Sequence, residues 1–472
     1  MKRIGISIIF ASMICTSQVH ASIEQIPNLA RQGVRSYPAI VSELVREGLH
    51  FTAIPYIKEY LSQTKTHVSK EFDQDIDEVV TAVGVRQFEV MPAQILARSG
   101  APTMKYILAK KYFRTGKYEQ AKETLNASIP RDHSSKPFAL QLEGSIYALL
   151  GSHQNAVEAF KECIAQSEKE AKRYSDPRRK RQLEINRDTC IVGIPRSHFA
   201  AEKFSAANSG YLDLPKSSAL WPEILFEEAW NSFYLRDFNR TLGKLVTYKA
   251  PVMNFVFNPE IEVLRSLTYL ELCMWNDAIN VVNDFYKSYE GQSGAVRSFM
   301  TKNGKDYKYF YLLAKSRMDD RVRGNELLNN ILRSVTRDPA FGELYDAFLA
   351  GRNELERVQK VSNNSLKAEL SRNLREALVL HRDMIGSYVR KRILLAMAQM
   401  DKAFEGMSYI KLEILARRKN ELYDFGGTSN RSRGDIMNLQ RTDKQYFWTF
   451  NGEFWADELG DYVFSLKSEC SS

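Results

Sequence analysis

The chain has 472 residues, with 66 Lys and Arg against 57 Asp and Glu, a formal charge of +9. A hydrophobic share of 44%, a charged share of 26% and an aromatic share of 11% exclude wholesale disorder, a collagen-like repeat and a membrane-spanning body. That length accommodates two or three domains or one repeat array, and 14 prolines with 24 glycines leave room for few loops between long elements.

Lys2 and Arg3 precede an apolar run over 4–15, and Val19, His20 and Ala21 close the stretch. These are the three regions of a secretory signal peptide over 1–21. Met13 and Ile14 stand where a lipobox before Cys15 needs small residues, so release after Ala21 is expected without a lipid tether. Cleavage lowers the formal charge from +9 to +7. A mild basic excess in an exported chain favours polyanionic or membrane-surface neighbours over nucleic acid. Cys163, Cys190, Cys273 and Cys470 remain. In an oxidising compartment they allow three pairings. Cys163 with Cys190, the nearest in sequence, is the expected disulfide; four buried thiols are the alternative, and the spacing matches no zinc ribbon.

Self-comparison exposes a repeat. LAKKYFRTGKYEQAKETL over 108–125 aligns with LEGSIYALLGSHQNAVEAF over 142–160, placing Tyr112 on Tyr147, Gly116 on Gly151, Ala121 on Ala156 and Leu125 on Phe160. Each unit reads as a helical hairpin: the tyrosine lies on the first helix, the glycine ends it, and the alanine lets the second helix cross closely. Weaker copies place Gly48 and Ala53 upstream, with a degenerate unit over 79–99, and Ala207, Thr241 and Ala278 downstream. These small, aromatic and glycine positions resemble the tetratricopeptide repeat. The resemblance implies an all-α fold, a right-handed superhelix of hairpins over 22–290. Its concave groove would bind proteins, with lining residues from first helices such as Lys105, Lys110, Arg114 and Gln141.

Between Ala156 and Ala207 the spacing grows by about half a repeat, a basic insertion near 166–188. It carries Arg178, Arg179, Lys180 and Arg181, read as a solvated loop at the end of an extended helix. A contact with polyanionic glycan or phospholipid headgroups is the functional alternative.

Linking helices are expected over 291–340 and a long helical segment over 341–424. Within it Ile385, Val389, Ile393, Ala396, Met400, Ala403, Met407, Ile410 and Ile414 step by three or four, a coiled-coil-like seam that needs a partner helix. An intrachain helix and self-association through 385–414 both satisfy it. A polar loop and an aromatic, acidic tail fill 425–472, where Trp448, Phe450, Phe454, Trp455 and Tyr462 surround Glu453, Asp457, Glu458 and Asp461. The carboxylate spacing makes no EF-hand loop, so the aromatics read as anchors of a plug folded back on the helices, with partner docking as the rival. The pattern WTFNGEFWADELGDY over 448–462 and the block over 220–245 resemble exported repeat proteins of gliding and predatory deltaproteobacteria, including tetratricopeptide proteins associated with adventurous gliding motility. The two blocks cover under a tenth of the chain. This resemblance implies a periplasmic part of an envelope-spanning assembly near the outer membrane.

No phosphate-binding loop, dinucleotide fingerprint, nucleophile elbow or zincin motif is present. His50, His67, His133, His153, His198 and His381 are scattered without ligand spacing. The expectation is a non-enzymatic periplasmic scaffold for protein partners in the cell envelope, without cofactor, metal or catalytic residue. The alternative is a protein that binds the cell wall or anionic lipid.

Overall fold

The computed structural model describes residues 23–320, 324–421, 439 and 441–470. The signal-peptide reading over 1–21 and the start of the polar loop lie outside them. Among the described residues the only strands are a two-residue parallel pair, Trp448–Thr449 with Tyr462–Val463; the other regular elements are helices. No described helix is long and apolar enough to cross a membrane.

Successive helical hairpins build the body. Tyr37–Arg46 pairs with His50–Gln63, Pro102–Arg114 with Tyr118–Ser128, Lys136–Leu149 with His153–Ala171, and Pro177–Ala200 with Phe204–Tyr211. Trp221–Tyr234 pairs with Phe238–Val246, and Glu260–Glu271 with Trp275–Asn303. The degenerate unit is one helix, Lys70–Val83, followed by two single turns, Arg86–Glu89 and Ala93–Leu96. One residue of left-handed conformation turns the chain between the two helices of a hairpin. Gly48, Gly116 and Gly151 supply it at φ of +66°, +74° and +75°. In three later hairpins Glu202, Arg236 and Cys273 occupy the same place at +59°, +60° and +58°. A side chain there costs on the order of 1 kcal/mol that glycine avoids.

The alanines at the crossings, Ala53, Ala121, Ala156, Ala207 and Ala278, are fully buried. Phe160 fills a slot between two helices, where a Cβ on Gly144 or on Gly193 would stand 2.6 Å from its ring. The expected insertion is no separate loop. Its residues extend His153–Ala171 to 19 residues and Pro177–Ala200 to 24, joined by a short turn.

The expected boundary at 290 falls inside the 29-residue helix Trp275–Asn303. Helices Tyr307–Met318 and Glu326–Arg337 follow, and the expected segment 341–424 is two helices, Pro339–Gln359 and the 58-residue Asn364–Glu421. This last helix packs on His50–Gln63 near the start of the chain and on the helices between 260 and 359. It thereby ties the first hairpin to the last ones. Every seam residue from Ile385 to Ile414 is buried inside the chain. The seam therefore faces intrachain helices and not a second copy, contrary to the expected alternative of self-association through 385–414. Gly386 allows the closest crossing: a Cβ there would lie 1.8 Å from the carbonyl oxygen of Tyr307.

The tail lies over Phe204–Tyr211, Trp221–Tyr234 and Phe238–Val246, with Leu459 and Tyr462 buried and Phe450, Phe454 and Phe464 packed beside them. Phe464 N–H donates to the Asn239 carbonyl at 3.2 Å, and the Leu466 N–H donates to Asn239 Oδ1 at 2.9 Å. A disulfide joins Cys273, in the turn before Trp275–Asn303, to Cys470. Trp448 and Trp455, by contrast, remain 47% and 56% exposed.

Candidate functional site

Each hairpin consumes one face of its first helix against its own second helix and another against its neighbours. In the hairpins after the first the remaining face turns inward, and these faces line a half-open cavity of about 1090 Å³. Pro102–Arg114 contributes Thr103, Tyr106 and Lys110, and Lys136–Leu149 contributes Phe138 and Gln141. Pro177–Ala200 contributes Arg179, Gln182, Asn186 and Thr189 at helical spacing; Trp221–Tyr234 contributes Phe226, Trp230 and Tyr234. Pro339–Gln359 and the long helix close the opposite side with Glu343 and Arg392.

The charged groups of this wall are mostly paired. Lys110 meets Glu89 at 2.5 Å, with Arg114 at 2.9 Å and Arg86 at 3.5 Å from the same carboxylate. Burial pushes Glu89 upward, yet Lys110 and Arg86 outweigh it and hold the carboxyl near pKa 2 (lowered to about 2). Arg196 clasps Glu227 at 2.5 Å, and Arg392 meets Asp338 at 3.2 Å. Arg179 differs. It donates to the Ser134 carbonyl at 2.7 Å and lies over the rings of Phe138 and Tyr174 at 5.0 and 5.4 Å. Arg337 lies over Phe255 at 4.6 Å.

A smaller cavity of about 480 Å³ adjoins the first, sharing Arg86, Arg179 and Glu343 and adding His50, Arg178 and Arg181. The sequence-predicted residues therefore separate. Lys110 and Gln141 line the large cavity, whereas Lys105 reaches back to the Ala97 carbonyl and Arg114 lies at the helix end beside Glu89. Lys105 is one position from Tyr106, about 100° round the helix and off the inward face. Arg178, Arg179, Lys180 and Arg181 do not form one patch: Arg179 turns inward, Arg178 and Arg181 border the smaller cavity, and Lys180 is exposed.

Cys163 and Cys190 are joined by a disulfide that links the 19-residue helix to the cavity-lining helix behind it. Asn186 donates to Ser167 Oγ at 3.1 Å along the same seam. Sequence reasoning overlooked the aromatic row Phe226, Trp230 and Tyr234. Its signal was available, since the three recur every fourth residue while Leu225 and Ala229, both fully buried, mark the core face. Among the described residues no group of three or more His, Cys, Asp and Glu could hold a metal ion. Rings, amides and ion-paired guanidiniums in a half-open concavity suit binding of a ligand with both apolar and polar parts.

Residues 139–170 match the family model of the tetratricopeptide repeat. The fold is a tetratricopeptide-like α-solenoid. The matched stretch is the hairpin of Lys136–Leu149 and His153–Ala171, which supplies Gln141 to the cavity. No curated protein matches. Among solved structures, the apo form of RapI is similar at 11% identity and a TM-score of 0.33, over 75% of this chain and 95% of that one. The Rap conjugation gene regulator of plasmid pLS20, solved in complex with the Phr* peptide, is similar at 11% identity and a TM-score of 0.30, over 77% and 97%. A Rap protein complexed with competence and sporulation factor is similar at 11% identity and 0.26, over 74% and 99%. Likeness at this level carries nothing about what the tetratricopeptide-like cavity here receives.

Proposed function

We propose that the chain is a non-enzymatic interaction scaffold of the cell envelope that takes a segment of a protein partner into its half-open cavity. The observation that carries this reading is the cavity of about 1090 Å³, lined by aromatic rings and by the amide side chains of Gln141 and Gln182. Amides of that kind satisfy a peptide backbone, and rings cover its side chains. Stacked hairpins reuse such concave faces as protein-binding surfaces.

Two disulfides support the exported location, because such bonds persist in oxidising compartments. The motif resemblances at 220–245 and 448–462 support a place in gliding-type envelope machinery. The split of Arg178, Arg179, Lys180 and Arg181 between two cavities and solvent weighs against a single polyanion-binding patch.

Affinity purification of the tagged chain from envelopes of its own cells tests the reading when wild type, Trp230→Ala and Tyr409→Ser are run side by side. Tyr409 lies on the outer face of the long helix, 65% exposed. Proteins retained by Tyr409→Ser and lost by Trp230→Ala agree with it. Equal recovery by all three, or recovery of wall fragments and lipid alone, contradicts it.

A further inference from the structure

The cavity runs along helix Pro177–Ala200. Arg179 stands in its first turn and Phe199 in its last, so twenty residues of helix separate the two ends by about 30 Å.

At the far end the rings form a continuous surface. Tyr234 stacks on Phe204 with centroids 5.0 Å apart, meets Phe199 edge-on at 5.4 Å and neighbours Trp230 at 6.1 Å. Tyr234 is nonetheless 52% exposed. Three rings at every fourth residue of one helix, Phe226, Trp230 and Tyr234, thus present an apolar row that the chain itself leaves partly uncovered.

The Arg179 end holds a different kind of group. Lys110, Arg196 and Arg392 of the cavity wall each pair with a carboxylate of the chain, Arg196 at the aromatic end one turn before Phe199, and Arg337 lies over the Phe255 ring. Among the described residues no carboxylate pairs with Arg179, whose guanidinium is held between the Phe138 and Tyr174 rings and anchored on the Ser134 carbonyl. Its burial works against its charge, offset in part by Tyr174 and by the more distant Glu170 and Glu343, and a carboxylate from outside would relieve the rest through a planar, charge-assisted contact. Glu343 borders the same end without pairing with Arg179.

Resting on the reading of the cavity as a polypeptide site, we propose that its occupant is an amphipathic segment, with bulky aromatic or aliphatic side chains seated on the Phe226, Trp230 and Tyr234 row and a carboxylate held by Arg179. A span of about 30 Å corresponds to about nine extended residues from Arg179 to the Tyr234 end of the row, and fewer to Trp230 and Phe226. Glu343 opposes any second carboxylate near Arg179, so the acidic end is short.

The test selects a random peptide library displayed on phage against the full mature chain, then titrates the synthesised peptides calorimetrically. Selected sequences are expected to carry large apolar residues several positions from a carboxylate. Trp230→Ala and Arg179→Gln should each weaken binding at least tenfold, Arg179→Lys should weaken it less, and Glu343→Gln should tighten it. Circular dichroism of each variant separates lost binding from lost folding. Peptides that depend on Trp230 but bind Arg179→Gln unchanged, or whose carboxylates can be amidated without effect, overturn this assignment and leave the polypeptide reading standing. Recovery of no cavity-dependent peptide, or binding of peptidoglycan fragments in its place, overturns both.

Discussion

The backbone N–H of Thr52 donates to the carboxylate of Glu354 at 2.8 Å, across 302 residues of sequence. Phe51 N–H donates to the second oxygen at 3.0 Å, and the Thr52 hydroxyl adds a bond of 2.6 Å. Helix His50–Gln63 has no capping side chain of its own, since Leu49 occupies its N-cap. A residue of Pro339–Gln359 therefore satisfies amides that helix geometry leaves open. This contact joins the first hairpin to the C-terminal helices around the cavity.

Glu354→Ala removes the acceptor and strands two buried amides, for an expected loss of about 2–3 kcal/mol. Glu354→Gln keeps one acceptor oxygen and should lose less. Urea unfolding measures both, and hydrogen exchange should show 50–63 loosening before the central hairpins. Equal protection of that helix in wild type and Glu354→Ala would refute the capping role.

A second junction is sensitive to acid. His381 is fully enclosed, donates from Nε2 to the Leu344 carbonyl at 2.9 Å and accepts at Nδ1 from the Gln87 side chain at 3.0 Å. Gln87 cannot usefully reverse its amide, because its oxygen accepts from Lys58 and its nitrogen also donates to the Ala377 carbonyl. Burial lowers the His381 pKa to about 4. The unfolded chain thus binds the proton more readily, so the stability contributed by neutral His381 is full above about pH 6.5 and is lost as pH falls toward 4. The shift corresponds to about 3 kcal/mol. Urea midpoints of wild type should fall more between pH 7 and 5 than those of His381→Gln. Parallel pH profiles would exclude His381 as the source.

Glycine substitutions distinguish close approach from empty space. A Cβ on Gly243 would stand 1.6 Å from the Tyr462 carbonyl oxygen, so Gly243→Ala should displace the tail and cost about 1–3 kcal/mol. Gly291, inside helix Trp275–Asn303, has nothing within 4 Å of such an atom. Gly291→Ala should stabilise by about 0.5–1 kcal/mol. Thermal unfolding of the pair checks both signs; a neutral Gly243→Ala would mean that the tail does not lie against that helix.

The two disulfides close loops of different size, with separations of 27 and 197 residues. Loop entropy alone assigns them about 3–4 and about 5 kcal/mol respectively. Cys470→Ser should therefore lower thermal stability at least as much as removal of the Cys163–Cys190 pair, and calorimetry in the oxidised state measures both. A Cys470→Ser chain as stable as wild type would leave that link without a stabilising role.

The sequence announces the hairpins wherever glycine takes the left-handed turn, as at Gly116 and Gly151. It obscures those in which Glu202, Arg236 and Cys273 accept the same conformation, because unbranched side chains can carry that strain when packing demands it. The seam from Ile385 to Ile414 is plain as a periodicity, but periodicity states that a face is covered and not by what. Lys110 and Gln141 were separable from Lys105 and Arg114 only through the phase of each helix against its neighbours. Glu354 meets Thr52 between the last helices and the first hairpin, and Arg392 meets Asp338 between two consecutive helices; no local pattern marks either pair.

The most direct test of the account is photocrosslinking in the native envelope, with the photoreactive residue placed in turn at Gln141, Phe226 and Tyr409. The first two face the cavity and the third faces away from it. The account predicts one protein partner crosslinked from Gln141 and Phe226 and absent from Tyr409. A partner captured only from Tyr409, with both cavity positions silent, would contradict it.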